Sequence, residues 1–140
     1  MESYTYSGHP MACAFALKNI EILEREQLTE NAEKMGRVLL EGFQRIQSER
    51  KIVGKVKGLG LMGGIELVKD IETMEKFSEP VAPMVVNEAA KRGLICRSVV
   101  FDGQDTVVLA PPLIITKEEI EKLINILNEA IAAVEEFELK

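Results

Sequence analysis

The strongest constraint on the fold is a helical stripe. Leu28, Ala32, Met35, Leu39, Phe43 and Ile46 recur at intervals of four, three, four, four and three residues. That spacing gathers apolar side chains on one face of a helix. A second stripe, Ile120, Leu123, Ile124, Leu127, Ile131 and Val134, lies near the other end of the chain. Each stripe needs another element to cover it, so a layered domain is required. Thr116 followed by Glu119 forms a capping box for the last helix, and the polar run Ser48 to Lys51 ends the earlier one.

The residues between the stripes read differently. Gly54, Gly58 and Gly60 punctuate the segment Ile52 to Val68, and Leu61 to Val68 reads as a strand. Gly63 and Gly64 inside it predict a bulge or a close approach to the backbone. Lys69 to Ser78 is a charged connector. Ser78 is expected to cap a helix from Glu79 to Arg92 with Pro80 in its first turn, and Gly93 to end it as a left-handed residue. Leu94 to Ser98 and Thr106 to Ala110 read as strands joined through Asp102-Gly103 into a hairpin, and Pro111-Pro112 stops the second. Ahead of the first stripe, Pro10 opens a helix that runs to Arg25, proline being favoured at the first helical position. Ala12, Ala14 and Ala16 on that helix let another backbone come close. It is less clearly amphipathic than the others and suits contact with a neighbouring domain. The order helix, helix, strand, helix, strand, strand, helix predicts an α/β fold of the α+β type, a two-layer domain with a short, largely antiparallel sheet packed against helices.

Charge and composition narrow the partners. A formal net charge of −6 argues against nucleic acid, which needs an excess of Lys and Arg. No apolar run approaches a membrane span, and Met1-Glu2-Ser3-Tyr4 lacks the basic and apolar regions of a signal peptide. Cys13 and Cys96 read as reduced core thiols, which fits a cytoplasmic protein. One histidine and no Cys/His cluster exclude a structural zinc site, and no metal ligand set is expected.

Candidate chemistry is sparse. Thr5-Tyr6-Ser7-Gly8-His9-Pro10 is a polar turn entering a small-residue helix. Hydroxyls, a glycine and a helix N-terminus together suit an anion such as a phosphate, although a plain helix cap explains the same residues. A turn this specific at a chain start suggests a piece of a larger enzyme. Arg97 follows the apolar run Leu94-Ile95-Cys96, where alternation puts it on the face of Ile95 and opposite Cys96. Its guanidinium either grips a carboxylate bidentately or points into water from a strand end. His9 has no catalytic partner in view and reads as a helix-entry residue. Met62 reads as core. Gly58-x-Gly60 lacks the strand–turn–helix setting of a dinucleotide site. No nucleophile–base pair or carboxylate pair can be assembled.

The motifs carry more in combination. Thr5-Tyr6-Ser7-Gly8-His9-Pro10-Met11-Ala12-Cys13, Ile20 to Ala32, Gly58 to Val68, Gly93-Leu94-Ile95-Cys96-Arg97 and Leu109-Ala110-Pro111-Pro112-Leu113-Ile114-Ile115-Thr116 together resemble, in order, the C-terminal part of class III aminotransferases of the omega type. These are pyridoxal-phosphate enzymes of fold type I. The resemblance implies that Thr5 reaches across a homodimer interface to the phosphate of the partner subunit's cofactor, with Tyr4 beside it lining the site. It implies that Arg97 is the arginine that binds a substrate carboxylate and swings aside for an apolar amine. The implied reaction moves an amino group between an amine or amino acid and a keto acid.

The resemblance also implies a division of the chain. Residues 1–27 correspond to the tail of the large domain and a connecting helix, and residues 28–140 to the C-terminal small domain. The family's cofactor-anchoring lysine, its pyridine-nitrogen aspartate and its ring-stacking aromatic lie upstream of the matching segment. In the family the cofactor is the electron sink and that lysine the base. The isolated chain is therefore expected to be inactive and not to hold pyridoxal phosphate. Glu2-Ser3 stand where the family usually has His-Gly, and Lys57 replaces an arginine common before the Gly-Leu-Gly segment. An aminomutase or an ornithine-type aminotransferase stays within the same family. A non-catalytic α/β interaction or small-ligand-binding module is the alternative from a different class.

Overall fold

A computed structural model describes residue 5 and residues 7–138 of the chain. Helix α1 spans Pro10–Arg25 and α2 spans Leu28–Glu49, with strands β1 Val53–Leu59 and β2 Met62–Leu67 following. Helix α3 is Ala82–Lys91, strands β3 and β4 are Arg97–Val99 and Thr106–Leu109, and α4 is Lys117–Glu138. The strands form an antiparallel sheet in the order β1-β2-β4-β3. Helices α2 and α3 pack on the sheet and α4 packs on both of them, giving the expected two-layer α/β architecture.

The core sits between the layers. Leu39, Phe43 and Ile46 of α2 and Ile120, Ile124, Leu127 and Ile131 of α4 are buried, as their stripes require. From the sheet they meet Ile65, Leu67 and Val107. Gly63 leaves room for the ring of Phe43: a Cβ there would lie 2.5 Å from Phe43 Cε2. This is the close approach that the paired glycines predict. Gly36 does the same for α2, whose backbone lies against the β1–β2 turn, so that a Cβ would meet the Gly60 carbonyl oxygen at 2.2 Å. The capping box forms, with the Thr116 amide donating to Glu119 Oε2 at 2.8 Å and the Glu119 amide to Thr116 Oγ1 at 3.3 Å.

Several local expectations are corrected. Strand β1 is missing from the sequence reading, because a bulge between Val53 and Lys55 shifts the register. Val53 and Val56 therefore reach the covered face at a spacing that breaks strict alternation. Helix α3 starts at Ala82, not Glu79, and Pro83 rather than Pro80 lies in its first turn. Ser78 is not its cap. The amides of Val81 and Ala82 donate instead to the buried carboxylate of Asp105, at 2.8 and 2.7 Å. Strand β3 begins at Arg97 rather than Leu94. Cys13 is exposed and Cys96 only half-buried, so neither is a core thiol in this chain, though both are free. Met62 is 64% exposed, because pairing with Leu59 puts it on the sheet face that the helices do not cover. Among the described residues no helix is long and apolar enough to cross a membrane.

Candidate functional site

Two segments carry the predicted site residues, and the structure keeps them on different elements. Thr5 lies in the exposed turn before α1, with Ser7 and Gly8, and Gly8 takes a left-handed φ of +73°. His9 caps the helix as a helix-entry residue should, its Nδ1 accepting from the Ala12 amide at 3.5 Å. The first turn of α1 holds no acidic residue that would repel an anion. Tyr4 lies outside the described residues.

Arg97 opens β3, the edge strand beside β4. It is exposed, and so is Ile95 at 93%, while Cys96 between them is half-buried. The alternation expected from the sequence is therefore present. Burial pushes the Cys96 thiol pKa up, which keeps it protonated and unreactive. Arg97 pairs in register with Val108. Both line an open cleft of about 730 Å³ walled by Leu94, Ile95, Pro111 and Pro112, with Lys122 and Ile126 of α4 at its far side. Thr5 is not among the lining residues.

The electrostatics single out Arg97. Arg25, Arg37, Arg45, Arg50 and Arg92 each hold a carboxylate of this chain. The Arg97 side chain has no ion pair or hydrogen bond among the described residues. A guanidinium beside apolar walls and without a partner among the described residues is available to a carboxylate ligand through a bidentate contact. On the same open face Lys76 bonds Glu66 and holds its carboxyl below the usual range, with Lys55 and Lys57 adding to the effect.

The comparisons bear on what this arrangement belongs to. The sequence pattern of the aminotransferase class-III family matches residues 2–131. The chain belongs to the class III aminotransferase family. An uncharacterized aminotransferase of Bacillus subtilis, YodT, is 38% identical over 141 residues, covering 96% of this chain and 32% of that protein. The taurine–pyruvate aminotransferase of Bilophila wadsworthia is 38% identical over 135 residues, covering 94% of this chain and 30% of that protein. The crystal structure of a transaminase from the marine bacterium Virgibacillus superposes with a TM-score of 0.92 at 43% identity, over 97% of this chain and 31% of that one. This aminotransferase segment thus spans about a third of the length of the relatives it matches.

Pyridoxal phosphate is the cofactor of this family in general. The residues present fit part of a site for it. The exposed Thr5 turn and the acid-free start of α1 suit a phosphate. That turn does not line the Arg97 cleft. Sequence reading gave the facing of Arg97 but missed Asp105, whose carboxylate ties the entry of α3 to that of β4. An Asp after a turn signal has no local mark that distinguishes a long-range cap.

Proposed function

We propose that this chain is the C-terminal small domain of a pyridoxal-phosphate-dependent transaminase that moves an amino group between an amine or amino acid and a keto acid. Residues 1–27 are the end of its large domain and a connecting helix, and residues 28–140 the small domain. The observation that carries the reading is Arg97: an arginine without a carboxylate partner among the described residues, on an open sheet edge, in an apolar cleft. Its part is to bind and orient a substrate carboxylate, with Ile95, Pro111 and Pro112 as apolar walls beside the contact.

Thr5, with Tyr4, belongs to the phosphate site of the partner subunit in a cytoplasmic homodimer. Pyridoxal phosphate, when bound, supplies the electron sink for the transfer. Two features support placing α1 against other protein. The stretch Pro10–Leu17 is apolar on all sides, with Phe15 70% exposed, and a helix apolar all round is stable only when enclosed. The relatives supply about two-thirds of their length beyond the matched part.

The test is Arg97→Ala in the full-length enzyme. KM for carboxylate-bearing substrates rises by about tenfold or more, the size of a lost bidentate contact to a charged group, and KM for an amine without a carboxylate stays near its original value. Unchanged turnover of the carboxylate substrates refutes the role. The isolated chain, mixed with pyridoxal phosphate and amine donor, transfers no amino group.

A further inference from the structure

The row that carries Arg97 continues past Val108. Register places Lys57, Gly64, Val108 and Arg97 side by side across β1, β2, β4 and β3. Their neighbours Gly63, Ile65, Val107 and Leu109 are buried beneath the helices, so this row lies on the open face. Lys57 is exposed and, like Arg97, has no ion pair among the described residues. The carboxylate that feels it, Glu66, is already bonded to Lys76.

Between the two cations runs a low shelf. Gly64 has no side chain, and a Cβ there would stand 3.1 Å from Thr106 Cγ2. A hollow of about 380 Å³ crosses Gly64 from Lys57 to Val108. Val108 lines both this hollow and the Arg97 cleft. Three strand spacings put the Lys57 and Arg97 backbones about 14 Å apart. That distance leaves room between two long cationic side chains for a short carbon chain with an anion at each end.

We infer that this face holds a dicarboxylate, one carboxylate on Arg97, the other on Lys57, and the chain between them on Gly64 and Val108. The inference rests on the reading of Arg97 as a carboxylate-binding residue and names the substrate class, a dicarboxylic amino acid or keto acid. Lys57 is then the residue that separates two-carboxylate from one-carboxylate substrates. A lysine ammonium suits the distal end, because it takes an anion as a point charge without the planar register an arginine needs.

The experiment is a titration of this chain with glutarate, and with butyrate as the one-carboxylate control, at low ionic strength where screening is weak. NMR follows the backbone amides of Gly64 and Val108 and the Arg97 Nε–H, and thermal unfolding confirms that each variant is folded. Glutarate is expected to shift all three signals, and butyrate chiefly that of Arg97. Lys57→Gln weakens glutarate by about tenfold, the worth of one charge-assisted contact, and leaves butyrate unchanged. Arg97→Gln abolishes the response to both acids. If Lys57→Gln leaves glutarate binding as it was while Arg97→Gln removes it, the inference fails and the Arg97 reading stands. If glutarate produces no shift in the unaltered chain, the inference fails, and Arg97 is judged by the turnover measurement above.

Discussion

Replacing Asp105 is expected to cost this domain more than any surface change. Its side chain is the one buried charged group among the described residues, 5% exposed, and it accepts from the Val81 and Ala82 amides at 2.8 and 2.7 Å. These amides open α3, where no residue of the helix's own entry caps it. Hydrogen bonds to a charged group contribute about 1.5 kcal/mol or more each, and a buried amide left without an acceptor costs a similar amount. Asp105→Ala removes both acceptors, so a loss of about 3 kcal/mol is expected. Asp105→Asn keeps one carbonyl oxygen and turns an amide group toward the other donor, for a loss of about 2 kcal/mol. The smaller figure for a single exposed N-cap, about 1 kcal/mol, sets the floor. A loss of about 3 kcal/mol is a large share of the roughly 5–15 kcal/mol that holds a domain folded. Urea unfolding followed by far-ultraviolet circular dichroism measures it, as a lowered midpoint at unchanged slope. A loss below about 1 kcal/mol for the alanine variant would refute the idea that this long-range cap holds α3 to the sheet.

Two further changes probe packing and charge. Gly36→Ala should gain about 1 kcal/mol from helix propensity alone, yet a Cβ would meet the Gly60 carbonyl oxygen at 2.2 Å. Backbone cannot give way cheaply, so net destabilisation of about 2 kcal/mol in the same urea assay is expected, and a stabilised variant would contradict the close packing of α2 on the β1–β2 turn. Lys76→Met removes the group that most lowers the pKa of Glu66. A carboxyl held below its unfolded value contributes stability that is complete above the ordinary glutamate range and is lost as the pH falls through the folded value. NMR titration should show the Glu66 pKa rising toward normal in the variant, with a smaller fall in stability between neutral and acid pH; an unmoved titration would show that Lys76 is not its partner.

Much of the fold was legible because its signals are local and repeated. The two long stripes, the Pro10 start, the Thr116–Glu119 box and the Asp102-Gly103 turn each depend on residues close together in the chain, and each is present. Arg97 was legible for a similar reason: alternation along Leu94 to Ser98 sets its face before any packing is known. Strand β1 was not, because the bulge at Gly54 shifts its register and its lysines and glycines have little preference for a strand. Nor was the start of α3, since its cap comes from Asp105, 23 residues beyond Ala82.

Amphipathic spacing thus determined on its own that α2 and α4 would each bury one face, and the ordered motifs determined the family. Tertiary structure alone decided which strands pair, and pairing decided the rest. It put Met62 on the open face, turned Gly63 toward Phe43 and set Lys57 in one row with Arg97. A one-residue slip in pairing reverses the facing of a whole strand. Which side chains share a surface is therefore a property of register, and register is set by contacts between residues far apart in the chain.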